Sequence, residues 1–145
     1  MKTITFTIKG NHQDPFGNAF PKLKMTGKQH WTPKARSYVM WKTYVQSALI
    51  KELRIENPEA ARLCEHNIAT CGKPLILGDR HATMDITISW KNDAHGDPEN
   101  IFGSIADALF INDKNLWGSF SPLNGERGGL VRCIITVSDQ PSLPL

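Results

Sequence analysis

No apolar run in this 145-residue chain approaches the ~20 residues that a bilayer-spanning helix needs, so no membrane partner is expected. Cysteine is scarce: Cys64, Cys71 and Cys133 are odd in number and scattered, which excludes a disulfide framework and suits reduced thiols. Cys64, His66, Cys71 and His81 match none of the common paired-ligand spacings of zinc sites, so Cys64 and Cys71 are expected to pack near a helix end. The start, Met1 to Lys9, alternates polar and apolar residues and lacks the solid apolar stretch of a signal peptide. It is expected to be a strand of a cytoplasmic protein. No internal repeat is visible. Acids are nearly missing from residues 1–42, where Asp14 alone stands against eight Lys and Arg, while the rest of the chain holds thirteen acids against nine. The net charge of +3 therefore conceals a basic segment and an acidic one. A protein that neutralises backbone phosphates and also holds a cation needs both, although a solvated basic face with no partner has the same composition.

Ile4, Phe6 and Ile8 mark a first strand. Residues 10–31, rich in Gly, Asn, Pro and Lys without a period, read as a long loop of the kind that carries function. Thr32-Pro33 places a cap and a first-turn proline before a helix of about twenty residues, with Val39, Tyr44, Val45, Ala48 and Leu49 as its apolar positions. Asn57-Pro58 opens a short second helix expected to end near Cys64. Residues 82–91 alternate, with Met84, Ile86, Ile88 and Trp90 on one side, and form a half-buried strand. Asp97-Pro98 opens a third helix over about 98–110 that buries Ile101, Ile105, Ala108 and Leu109. Leu116 to Phe120 and Leu130 to Val137 are expected to flank a Gly-rich hairpin loop. The order β-α-α-β-α-β-β predicts a single α+β domain over 1–139, with a mixed or antiparallel sheet, helices packed on it and a frayed tail at 140–145.

The chemistry concentrates in four carboxylates within seventeen residues: Asp97, Glu99, Asp107 and Asp113. Oxygen ligands so grouped suit a hard divalent cation, and Mg²⁺ is commonly held by one or two carboxylates plus substrate phosphates. Asp97 falls at an N-cap and Glu99 in the first turn, where the helix dipole favours negative charge. Asp107 lies about 80° round the helix from Glu99, and the loop holding Asp113 is expected to bring it back toward the others. Each acid also has a plain structural reading: cap, first-turn acid, surface acid and turn residue. The stretch from Asp93 is not an EF-hand, since Pro98 and Ser104 occupy the positions that need Gly and Glu.

Asp97-x-Glu99-Asn100, then Asp107-Ala108-Leu109 after six residues, then Asn112-Asp113, resembles the signature of the RusA-type Holliday junction resolvases. That family shows Asp-x-Asp-Asn, a helix containing Asp-Ala-Leu, and Asp-Asp. The resemblance extends over most of the chain, to the basic loop, the long helix and the Gly-Gly before the last strand, with only the central motif specific. It implies a RusA-like fold and a homodimeric endodeoxyribonuclease, typical of phages and prophages, that resolves four-way DNA junctions in recombination and repair with Mg²⁺ or Mn²⁺. It carries the essential acids onto Asp97, Glu99 and Asp113, with Asp107 a further acid behind them. Three departures stand out: Glu99 replaces Asp, Asn112 replaces the first Asp of the pair, and the family's lysine falls at Gly103, leaving Lys91 or Lys114 to substitute. Lys22, Lys24, Lys28, Lys34 and Arg36 are the candidates for DNA backbone contacts, and His30 and Trp31 for stacking on an unpaired base. The residues alone leave open a nuclease for other branched DNA and a junction-binding protein without catalysis.

Overall fold

Three prolines fix where the helices begin. In the computed structural model, which describes residues 2–23, 32–123 and 128–141, Pro33, Pro58 and Pro98 each take the first helical position, where a missing N–H costs nothing. Helix α1 (Pro33–Glu56) is capped by Thr32, whose side chain accepts from the Ala35 N–H at 3.1 Å. Asn57 serves two helices: its N–H donates to the Leu53 carbonyl at 2.7 Å, closing α1, and its side chain accepts from Ala60 at 3.2 Å, opening α2 (Pro58–Cys71). Gly72, at φ 86°, ends α2 in the left-handed conformation. This second helix runs seven residues past the expected stop at Cys64, because nothing breaks it before that glycine. Cys64 is buried inside it and Cys71 exposed in its last turn.

Among the described residues the chain is a single α+β domain with a four-stranded mixed sheet and three helices. The strands are β1 (Lys2–Lys9), β2 (Arg80–Ser89), β3 (Leu116–Pro122) and β4 (Leu130–Pro141), in the order β1-β4-β2-β3. β4 pairs antiparallel with both β1 and β2, and β3 pairs parallel with β2. The expected hairpin of β3 with β4 is therefore wrong. Helix α3 (Pro98–Leu109) is the crossover that returns the chain beside β2 in parallel, and β4, with Val131, Cys133 and Ile135 all buried, takes the centre. β4 also extends to Pro141, opposite Arg80, so residues 140 and 141 belong to the sheet and not to a tail.

One face of the sheet carries the core. Phe6, Ile8, Met84, Ile86, Ile88 and Val131 meet α1 and α3 through Trp41, Val45, Leu49, Ile101 and Ile105. Val39, expected in this core, is 46% exposed, and the inward stripe of α1 is Ala35, Tyr38, Trp41, Val45, Leu49 and Leu53. Trp41 is wholly buried and stacks on Phe20 at 5.7 Å, tying the first loop to the core. On the other face Thr83 and Asp85 are exposed, as are Trp117 and Ser119 opposite them on β3. Among the described residues no helix is long and apolar enough to cross a membrane.

Candidate functional site

β2 delivers the chain to a turn whose shape is set by contacts across the fold. Trp90 stacks on His95 at 3.7 Å and 8°, closing the turn on itself. Asn18 clasps it from the first loop: its Oδ1 accepts the Lys91 N–H at 2.6 Å, and its Nδ2 donates to Asn92 Oδ1 and to the Ala94 carbonyl, both at 3.1 Å. Asn18 is itself held, its carbonyl accepting from Asn11 Nδ2 at 2.7 Å, while Asn11 Oδ1 accepts the Gln13 and Asp14 N–H groups. Beyond the clasp, the chain from Phe20 to Lys22 runs along α3. Ser104 Oγ donates to the Phe20 carbonyl at 2.6 Å and accepts from the Trp41 indole at 3.1 Å, and the Lys22 N–H donates to the Asn100 carbonyl at 2.9 Å. Gly96 makes room for Pro21: a Cβ there would stand 2.8 Å from the proline's own Cβ.

Against this frame stands the start of α3. Asp97 occupies the N-cap position but makes no side-chain cap bond, unlike Thr32 and Asn57. Its carboxylate is exposed, as is that of Glu99 in the first turn. Asp97 therefore holds the N-cap position without the cap bond, and the first-turn N–H groups of α3 have no side-chain oxygen of their own N-cap residue upon them. A cleft of about 610 Å³ opens beside the turn, lined by Asn18, Lys34, Ser37, Lys91 and His95 among others. Exposed Lys22 and Lys34 thus border the acidic turn, whereas Lys91 is drawn into an ion pair with Asp14 at 2.7 Å. Arg36 is exposed on α1. Lys24, Lys28, His30 and Trp31 lie outside the described residues.

The other two acids stand elsewhere. Asp107 faces α1, accepting from Tyr38 Oη at 2.9 Å and from Lys73 Nζ at 3.1 Å, with Lys42 Nζ at 3.6 Å. Partial burial pushes its carboxyl up. The bonds from Lys73 and Tyr38 and the charges of Lys42 and Lys73 outweigh that, and it sits below the ordinary carboxylate range. Burial, then the bond to Asp107, raises the Tyr38 hydroxyl far above its usual value. Asp107 is thus a clamp of α3 on α1 and Lys73.

Asp113 is exposed in the loop that enters β3. The loop does not bring it back to Asp97. Helix α3 intervenes, twelve residues long, a rod of ~18 Å at 1.5 Å per residue. Asp97 and Glu99 lie at the end of the sheet where β2 finishes, Asp113 and Lys114 at the end where β3 starts beside Ala82. Among the described residues no three His, Cys, Asp or Glu side chains are grouped to hold a metal ion. Of the residues that shape the turn, Trp90 carried a periodic signal as the last apolar position of the 82–91 alternation, while Asn11, Asn18 and His95 carried no periodic or motif signal in the sequence. Only the density of Asn in the first loop hinted at side chains closing turns. No protein-family model and no curated protein sequence matches the chain.

Proposed function

We propose that the chain is a metal-dependent endonuclease of the RusA type that hydrolyses phosphodiesters of branched DNA, above all the four-way junction, and that it works as a two-fold dimer. The observation that carries this reading is the start of α3. There an uncapping Asp97 and Glu99 stand exposed, with the first basic stretch, Phe20 to Lys22, bonded along the same helix. The sequence keeps its positive and negative segments apart, and the fold brings them together at one helix end.

A divalent ion of Mg²⁺ or Mn²⁺ type fits Asp97 and Glu99, because such ions take one or two carboxylates and leave their remaining positions to phosphate and water. When bound it supplies charge neutralisation and an activated water. The chain's own residues do the rest. The first-turn N–H groups, left uncapped by Asp97, donate to a phosphate oxygen. Lys22 and Lys34 attract and orient the backbone, and the Asn18 clasp holds the acidic turn in place before substrate arrives.

A two-fold pair answers the distance to Asp113. β3 is an edge strand among the described residues, and its sequence from Leu116 to Pro122 holds no charged residue, while Trp117 is 68% exposed and Phe120 45%. Natural edges are usually guarded by charge, and this one is open to pairing. Antiparallel pairing of β3 with its copy reverses the second strand. The start of the copy, with its Asp113, then comes to the end of the sheet where Asp97 and Glu99 stand. This pairing is isologous, as a two-fold axis demands.

The test is cleavage of a labelled synthetic four-way junction beside matched linear duplex, with Mg²⁺, Mn²⁺ or EDTA. Paired metal-dependent nicks near the branch point, lost in Asp97→Asn, are the expected result. Tight junction binding with no cut in either metal overturns the enzyme in favour of a binding protein. Mixing inactive Asp97→Asn and Asp113→Asn chains tests the dimer. A site shared between chains regains one working centre and nicks a single strand, whereas a site within one chain stays silent.

A further inference from the structure

Gly103 lies in the interior of α3 without a left-handed backbone to require it. Glycine there weakens a helix relative to alanine, and the space its missing side chain leaves is taken by a neighbour. Among the described residues a Cβ at this position would meet one neighbour within 4 Å: the stem of Lys22, at 3.3 Å from its Cδ and 3.7 Å from its Cβ. The lysine is steered there by its main chain, pinned by the bond from its N–H to Asn100 and, two residues earlier, by that from Ser104 to the Phe20 carbonyl. Residue 103 is four positions after Glu99 and shares its helical face. The Lys22 stem therefore lies along the strip of α3 that Glu99 heads.

Lys34 reaches the turn from across the cleft, on α1, and not along α3; the other described lysines of this neighbourhood are committed or distant. Lys91 is paired with Asp14, Lys42 and Lys73 converge on Asp107, and Lys114 stands at the far end of the helix. Hydrolysis of a phosphodiester builds negative charge on the phosphate, and a fixed cation beside it is worth most in the transition state.

We infer that Lys22, lying in the notch left by Gly103, is a catalytic residue that places its ammonium on the scissile phosphate beside Asp97 and Glu99. This rests on the nuclease reading above. The notch and the lysine form one device drawn from two distant segments of the chain: the glycine gives up a side chain so that residue 22 can supply one.

The experiment compares wild type with Lys22→Met, which keeps the stem and removes the charge, and with the exchange Lys22→Ala/Gly103→Lys. Each is assayed for single-turnover junction cleavage, for junction binding over a salt series in Ca²⁺, and for melting temperature. Expected for Lys22→Met is a loss of roughly 10²–10³-fold in cleavage rate, with binding within about threefold and melting unchanged. The exchange variant, whose new lysine springs from the same helical strip, recovers at least tenfold over Lys22→Ala. Wild-type cleavage by Lys22→Met overturns the inference and leaves the nuclease reading intact. So does a Lys22→Met defect confined to affinity, with the salt slope of binding reduced by about one and the rate unchanged, since that marks a backbone contact only. A wild type that cuts no branched DNA in either metal overturns both.

Discussion

The two ends of α3 hold carboxylates of the same kind in opposite circumstances. At the far end Asp107 is half-buried, with Tyr38 and Lys73 bonded to it and Lys42 close by. At the near end Asp97 is exposed and declines even the cap bond that its position offers. Two helices of the same protein start with the same cap-then-proline device, and there Thr32 and Asn57 both make the bond. Partners consume a carboxylate's acceptor capacity in the folded state. Their lack leaves it for a ligand, and the difference separates a structural acid from a candidate functional one inside a single twelve-residue helix.

The sharpest way to break that comparison is to neutralise both acids. Asp97→Asn is expected to cut junction cleavage by about 10³-fold or more, while stability stays within about 0.5 kcal/mol, as for an exposed side chain outside any network. A melting curve and a single-turnover assay on one preparation check both halves. Next in size, Trp117→Lys puts a charge on the open β3 edge. It is expected to leave a folded monomer in light scattering and to abolish cleavage with it. Asp107→Ala should do the reverse of Asp97→Asn. Removing the acceptor shared by Tyr38, Lys42 and Lys73 costs about 1–3 kcal/mol, seen as a lower urea midpoint, with cleavage by the folded fraction little changed.

A pH series sharpens the contrast. The folded-state pKa of Asp107 is depressed, so its stabilisation is complete above the ordinary Asp value of about 4 and is lost as pH falls through the lower folded value. The stability gap between wild type and Asp107→Asn is therefore expected to be widest at neutral pH and to shrink below about pH 4, as urea melts at both ends of the range will register. Smallest of all, Thr32→Ala should cost α1 about 1 kcal/mol, more than Asp97→Asn costs α3 although both residues sit at N-caps.

What could be read in the chain beforehand was local. All three helix starts were legible because a cap and a first-turn proline act within four residues. The alternation of Met84, Ile86 and Ile88 was legible because a strand's period needs no partner. Strand neighbours were not: that β3 lies beside β2 and not β4 depends on the path of α3, which no short window contains. The inward stripe of α1 was misplaced at Val39 because Tyr38 and Trp41, with polar tips, do not stand out as core until Asp107 and Ser104 receive those tips. The place of Asp113 is illegible for a related reason. Residues close in sequence are held apart when a rigid helix separates them, and a motif written on one line hides that distance. Gly103, which in the sequence shows only as a missing lysine, lies against Lys22, eighty-one positions earlier.

The unguarded β3 edge also bears on how many copies the proposed assembly would hold. The proposed pairing through β3 would leave the two β1 strands outermost, and β1 ends in the exposed Lys9. A lysine on an edge strand guards it against a further copy bringing the same strand alongside. On the proposed pairing, a sheet with one inviting margin and one forbidding margin would grow once and then stop, so the same asymmetry that permits a pair would forbid a fibre.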